Sequence, residues 1–271
     1  MQQIWSRFKP YCRWLILGGT LFFLTKAFKD NWQEVAAIRI TALGWATLTI
    51  ALGVTLLAHI WSGWVWTWML GELNQPVCSS QFVQVYLKTN IAKYLPGNVW
   101  HYYGRILAAK NAGVTANVAT LSVLLEPLLM AAAALIVVLF SIQSIAFTTQ
   151  NNFRGLIILV LVTVAIALHP RFLNLAVRFF SRLKLKSTNS NTVDVNAFQV
   201  KRYPWRPIFG ELGFVGLRGI GFLLTVLALK SVEISQIPLL MGAFSLAWLL
   251  GLVIPGAPGG LGVFEVTAIA L

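Results

Sequence analysis

The chain has 271 residues, 58% of them hydrophobic and only 11% charged, with a mean hydropathy of +0.74. A soluble domain is about 45–50% apolar and about 25% charged, so a soluble globular protein, a disordered chain and a collagen-like fibre are excluded in favour of a polytopic membrane protein. The net charge of +13 fits Lys and Arg gathered in cytoplasmic loops, not nucleic-acid binding, for which no motif appears.

Six apolar stretches can cross a hydrocarbon core of about 30 Å: 11–28, 41–68, 117–140, 155–169, 208–229 and 236–254. In the first, Arg7, Lys9 and Arg13 precede the apolar run Trp14–Leu24 and no clear small-residue cleavage site follows, so it reads as an uncleaved helix. The second is long enough to tilt or to leave its last turns among headgroups. Trp61, Trp64, Trp66 and Trp68 mark that end as an interface. With the N-terminus inside, 15 Lys and Arg fall in inside segments and 5 outside, which sets the orientation. The expected location is the cell (inner) membrane, multi-pass, with a cytoplasmic N-terminus. Cys12 and Cys78 then lie on the reducing side as unpaired thiols.

The segment 170–207 is the long polar connection. Arg178, Arg182, Lys184 and Lys186 alternate with apolar residues, as in a basic stretch lying on an anionic leaflet or in a solvated loop. Residues 187–191 form a flexible turn, so one membrane domain, 1–271, divides into halves 1–186 and 205–271 joined by a basic cytoplasmic linker. The last apolar run, 263–271, starts a helix and stops, which predicts that the natural C-terminus is missing or that the gene is a fragment.

Two segments break the helical pattern at membrane-like hydropathy. One holds Pro96, Gly97 and Asn98; the other runs from Pro255 through Pro258, Gly259 and Gly260 to Gly262. Such backbone survives in hydrocarbon only where protein or a water-filled cavity covers it. Paired interruptions in two halves point to a transporter binding site. Asn98 is placed to cap a helix ending near Lys110, with 111–113 stopping it, and the helix start suits an anion. Glu126, Glu211, Arg218 and Glu265 lie in apolar stretches and are expected to face the bundle interior. Glu211 and Arg218 are seven residues apart, too far for a direct pair, so Arg218 must meet Glu126, Glu265 or a lipid phosphate. Glu211 at an interface is an alternative. Lys93 and Arg105 flank the first break as further phosphate ligands. Gly210, Gly213, Gly216 and Gly219 read as a helix-packing face. The three histidines fit no metal template, and no acidic cluster or nucleophile setting supports an enzyme.

At these residues a family resemblance becomes legible. Residues 254–265, IPGAPGGLGVFE, resemble the C-terminal signature of the lysylphosphatidylglycerol synthase transmembrane (flippase-like domain) family. Residues 89–105, TNIAKYLPGNVWHYYGR, are similar to its first signature region, and VLLEPL at 123–128 to its glutamate motif, with Pro127 where a basic residue is more usual. The resemblance implies an inner-membrane helical domain that moves lipids or lipid-linked molecules between leaflets. The cytosolic aminoacyltransferase fused to the best-known members has no counterpart in this sequence, so synthase activity is not carried over.

The expectations are therefore an all-α polytopic bundle with about six spanning helices and two Pro/Gly-broken segments, a re-entrant path being open for each. The function expected is a lipid flippase or transporter for a phospholipid or lipid-linked anionic molecule, with no catalytic residue, metal or cofactor. The alternative is a non-transporting partner of an envelope glycosyltransferase or lipid-modifying enzyme. Expected partners are membrane lipids with an anionic headgroup, with a second copy or an envelope enzyme as alternatives. The substrate-binding candidates are Lys93, Pro96, Gly97, Asn98, Arg105, Glu126, Glu211, Arg218, Pro258, Gly259, Gly260, Gly262 and Glu265.

Overall fold

The computed structural model describes residues 32–94, 99–149, 203–254 and 262–270, with scattered positions in 18–30 and 155–174. Among the described residues the fold is all helical. In chain order the helices are α1 (Trp32–Ala37), α2 (Ala42–Glu72), α3 (Ser79–Asn90), a 3-10 turn (Ile91–Tyr94), α4 (Trp100–Asn111), α5 (Ala116–Thr149), α6 (Trp205–Leu229), α7 (Ile237–Val253) and α8 (Val263–Ala270). Four segments are long and apolar enough to cross a membrane: Ala42–Glu72, Ala116–Gln143, Trp205–Leu229 and Ile234–Val253. They match four of the six predicted spans. The other two, 11–28 and 155–169, lie largely outside the described residues, as do the linker and the turn at 187–191.

Helix α2 starts where the Thr41 hydroxyl accepts from the Gly44 amide at 3.1 Å, satisfying one free N–H of the first turn. It ends four residues later than the sequence predicts. At 1.5 Å per residue its 31 residues reach about 46 Å, so its Trp-rich end overhangs a bilayer core. Helix α6 packs antiparallel against it. A Cβ on Gly44 would lie 2.8 Å from the Ala228 carbonyl oxygen, one on Gly221 2.6 Å from the Thr55 hydroxyl, and one on Gly213 2.9 Å from the Trp61 indole nitrogen. Small residues let the two backbones approach along their whole length, and the Trp61 indole N–H donates to the Gly210 carbonyl at 2.8 Å. Of the predicted packing face, Gly210 and Gly213 meet α2, Gly219 is turned onto Met241 of α7, and Gly216 has nothing within 4 Å. Helices α5 and α7 run antiparallel to each other, the Ser141 hydroxyl donating to the Pro238 carbonyl.

Between α2 and α5 the chain makes a helical hairpin. Ser79 meets Thr67 at 3.2 Å, Tyr86 meets Ser62 at 2.7 Å and Asn90 meets His59 at 3.4 Å. Numbers rise on α3 as they fall on α2, so α3 climbs back along α2. His59 is 13 residues from Glu72, which places the hairpin tip about 20 Å inside the end of α2. Helix α4 then returns along α5, with Arg105 on Glu126 and Ala109 packed in the cluster with Val118 and Ala119. Helix α4 begins at Trp100, with Val99 at its cap position, and stops through Gly113 (φ +88°), whose amide donates to Lys110. The left-handed backbone there suits glycine. Pro96, Gly97 and Asn98 lie outside the described residues, so Asn98 is not seen capping α4.

A second doubling back follows α7. Phe264, near the start of α8, packs edge-on against Phe244 at 5.7 Å and Phe222 at 6.3 Å. Phe244 is nine residues before the end of α7, about 14 Å back along its axis. Helix α8 therefore begins inside the bundle, not beyond it. Pro258, Gly259 and Gly260 lie outside the described residues.

Candidate functional site

The two doubled-back segments meet at one cavity of about 410 Å³. Its walls come from the middle of α2, the hairpin tip, the first turn of α4, the middle of α6, the second half of α7 and the first turn of α8. Its polar lining includes His59, Asn90, Lys93, His101, Arg218 and Glu265, with the hydroxyl residues Thr55, Tyr94 and Tyr102 beside them. Lys93 sits in the 3-10 turn before the first break, and Glu265 just after the second. Lys93 and Glu265, 172 residues apart in sequence, thus flank the same space.

The cavity is electropositive. Among the described residues neither Lys93 nor Arg218 has a carboxylate within 4.0 Å. Arg218 holds its guanidinium 6.0 Å from the centre of the Phe244 ring, and its buried Nε finds no hydrogen-bond partner. His101 Nδ1 is also buried without a partner. The one carboxylate in the lining, Glu265, accepts from the backbone amide of Gly262 at 2.5 Å, which engages it at the start of its own helix.

Behind the cavity lies a closed ion pair. Arg105 and Glu126, each about 2% exposed, meet at 2.6 Å. Tyr86 donates to the other oxygen of Glu126 at 2.7 Å, and Ser62 completes the chain through Tyr86. The Arg105 guanidinium stacks 3.7 Å from the Tyr86 ring. A side chamber of about 30 Å³ connects this pair with the lining of the main cavity, room for about one water. Glu211 is fully buried; neither of its oxygens has a hydrogen-bond partner among the described residues, and it lines neither chamber.

Of the predicted residues, Lys93, Arg218 and Glu265 come together, and Gly262 supports Glu265. Arg105 and Glu126 are brought together with each other. His59, Asn90 and His101 were not legible as site residues, because their grouping exists only once the hairpin folds back beside α2. The polar run 88–93 just before the first break was the one available signal.

No family model matches the chain, and no curated protein or solved structure is significantly similar to it.

Proposed function

We propose that this chain is a membrane-embedded lipid translocator, related to the lysylphosphatidylglycerol synthase transmembrane family that its motifs resemble. It moves a phospholipid or lipid-linked anionic molecule between leaflets and makes or breaks no covalent bond. In this reading six helices span the cell membrane, with the N-terminus in the cytoplasm. The observation that carries it is the pairing of Lys93 and Arg218 in one interior cavity with no carboxylate in ion-pair range among the described residues.

A charged side chain at mid-membrane costs about 2.5–3.5 kcal/mol on insertion scales. Two cations kept there without an ion-pair partner among the described residues call for an anion that comes and goes. A phosphate meets both requirements: Arg218 offers a planar fork of N–H donors and Lys93 a point charge. His59, Asn90 and His101 supply neutral hydrogen-bonding groups for the rest of a headgroup. The acyl chains stay in lipid while the headgroup crosses. Rocking of the doubled-back segments against the spanning helices would open the cavity to each side in turn.

Leaflet exchange in proteoliposomes tests this, with labelled phosphatidylglycerol and an aminoacylated analogue. Exchange is expected with the native chain, and Arg218→Ala or Lys93→Ala should slow it at least tenfold. Exchange unaffected by both substitutions removes the site. No exchange of either lipid by folded protein, with an envelope enzyme co-purifying in stoichiometric amount, replaces translocation by a scaffolding role.

A further inference from the structure

A second polar cavity, of about 550 Å³, opens at the end of the bundle where α2 stops and α6 begins. Thr67, Trp68, Glu72, Ser79 and Arg206 line it. The guanidinium of Arg206 lies 6.0 Å from the centre of the Trp68 ring. Glu72 faces the same space, yet the two do not form an ion pair. The wall between α2 and α3 is fixed: Thr67 donates to the Trp64 carbonyl at 2.7 Å, and its hydroxyl meets that of Ser79 at 3.2 Å. Asn74, in left-handed backbone at φ +57°, turns the chain around its edge.

The surroundings place this cavity at headgroup depth. It lies on the overhang of α2 and the first turn of α6. Trp64, Trp205 and Phe209 on those same turns are largely exposed, as aromatic residues are at a membrane–water boundary. Trp205 and Phe209 stack at 6.1 Å.

We propose that this cavity is an interfacial binding site for a zwitterionic headgroup carrying a phosphate and a primary ammonium, the chemistry of phosphatidylethanolamine. Opposite charges that line one space without neutralising each other are complementary to a ligand that carries both. The phosphate meets Arg206. The ammonium meets Glu72 and the face of Trp68. A purely anionic headgroup would satisfy Arg206 and be repelled by Glu72, so the carboxylate supplies the discrimination. The exposed aromatic rim favours the headgroup of a lipid over its soluble counterpart. This site is separate from the interior cavity, and its occupancy does not depend on translocation.

The test is lipid retention by the full chain, purified in detergent with equal amounts of phosphatidylethanolamine and phosphatidylglycerol and weighed by native mass spectrometry. Phosphatidylethanolamine should be the lipid retained in excess. Glu72→Gln should lower the ratio about threefold, the scale of one exposed ion pair. Arg206→Gln should reduce retention of both lipids. Lys88→Gln, an exposed cation outside the cavity, should change nothing. Excess glycerophosphoethanolamine separates the sources: displacement of the lipid marks a site for the headgroup alone, and persistence of the lipid marks one that also needs acyl chains. A ratio unmoved by Glu72→Gln in monodisperse protein overturns the proposal. Both side chains are exposed, so the substitutions leave the core untouched, and Glu72→Gln decides the matter even if Arg206→Gln expresses poorly.

Discussion

Arg105 and Arg218 are both guanidinium groups in an apolar bundle, and the fold treats them in opposite ways. Arg105 is closed off by Glu126 and stacked on Tyr86. Breaking such a pair leaves a charge buried alone, which costs about 3–5 kcal/mol. Glu126→Ala should therefore lower stability by that amount in denaturant unfolding of micellar protein. Tyr86→Phe, which removes one hydrogen bond to a charged group, should cost about 1.5–3 kcal/mol. Arg218 stands without an ion-pair partner among the described residues. Replacing it with Met removes an uncompensated charge, so Arg218→Met should leave stability unchanged or raise it while lowering exchange. Loss of exchange with no loss of stability marks a group kept for its ligand. A fall in stability comparable to that of Glu126→Ala would instead make Arg218 part of the scaffold. The sequence reading gave Arg105 to phosphate and left Arg218 between Glu126, Glu265 and a lipid phosphate. Their difference was not legible, because the partner of Arg105 lies 21 residues away on another helix and only the hairpin return brings it near.

At the scale of elements, the glycines of α6 make contrasting neighbours. A Cβ at Gly213 would press on the Trp61 indole at 2.9 Å, whereas Gly216 has nothing within 4 Å. Overpacking costs about 1–3 kcal/mol, and alanine gains about 1 kcal/mol over glycine in a helix interior. Gly213→Ala should lower the unfolding midpoint and Gly216→Ala raise or preserve it, in one thermal series in micelles. The spacing of four glycines made half of this stripe readable: Gly210 and Gly213 meet α2, but spacing alone does not say that Gly216 stays open and Gly219 meets α7. The four spans were readable because length and hydropathy are local properties; their ends differ from the prediction by a few residues. The hairpin was only half readable. Pro96 and Gly97 announce a break, but nothing local says that α3 climbs beside α2. That placement depends on Ser62, His59 and Thr67 offering polar partners at matching heights, a tertiary fact. The same limit hid the convergence of Lys93, Arg218 and Glu265.

At the scale of the whole molecule, direction links the two cavities to a leaflet. Helices α2 and α7 run one way and α5 and α6 the other, and both doubled-back segments enter from the end where α2 and α7 finish. In the proposed orientation, read from the excess of Lys and Arg, that end faces the cytoplasm. Cys78, exposed just beyond α2, reports on it. Hydrogen bonding to the Ser80 hydroxyl, at 3.3 Å, lowers the thiol pKa and raises the thiolate fraction at neutral pH, and the thiolate is the form that reacts with a maleimide. With Cys12→Ser, a membrane-impermeant maleimide should label Cys78 in inside-out vesicles and not in right-side-out ones. Raising the pH toward the ordinary thiol range should speed labelling, with the acceleration levelling off below the pH at which an unperturbed thiol would. The reverse labelling pattern would turn the molecule over and move the Arg206–Glu72 cavity to the outer leaflet. The interior cavity would keep its reading in either case, because its cations sit near the middle of the spanning helices and are reached only when one end of the bundle opens.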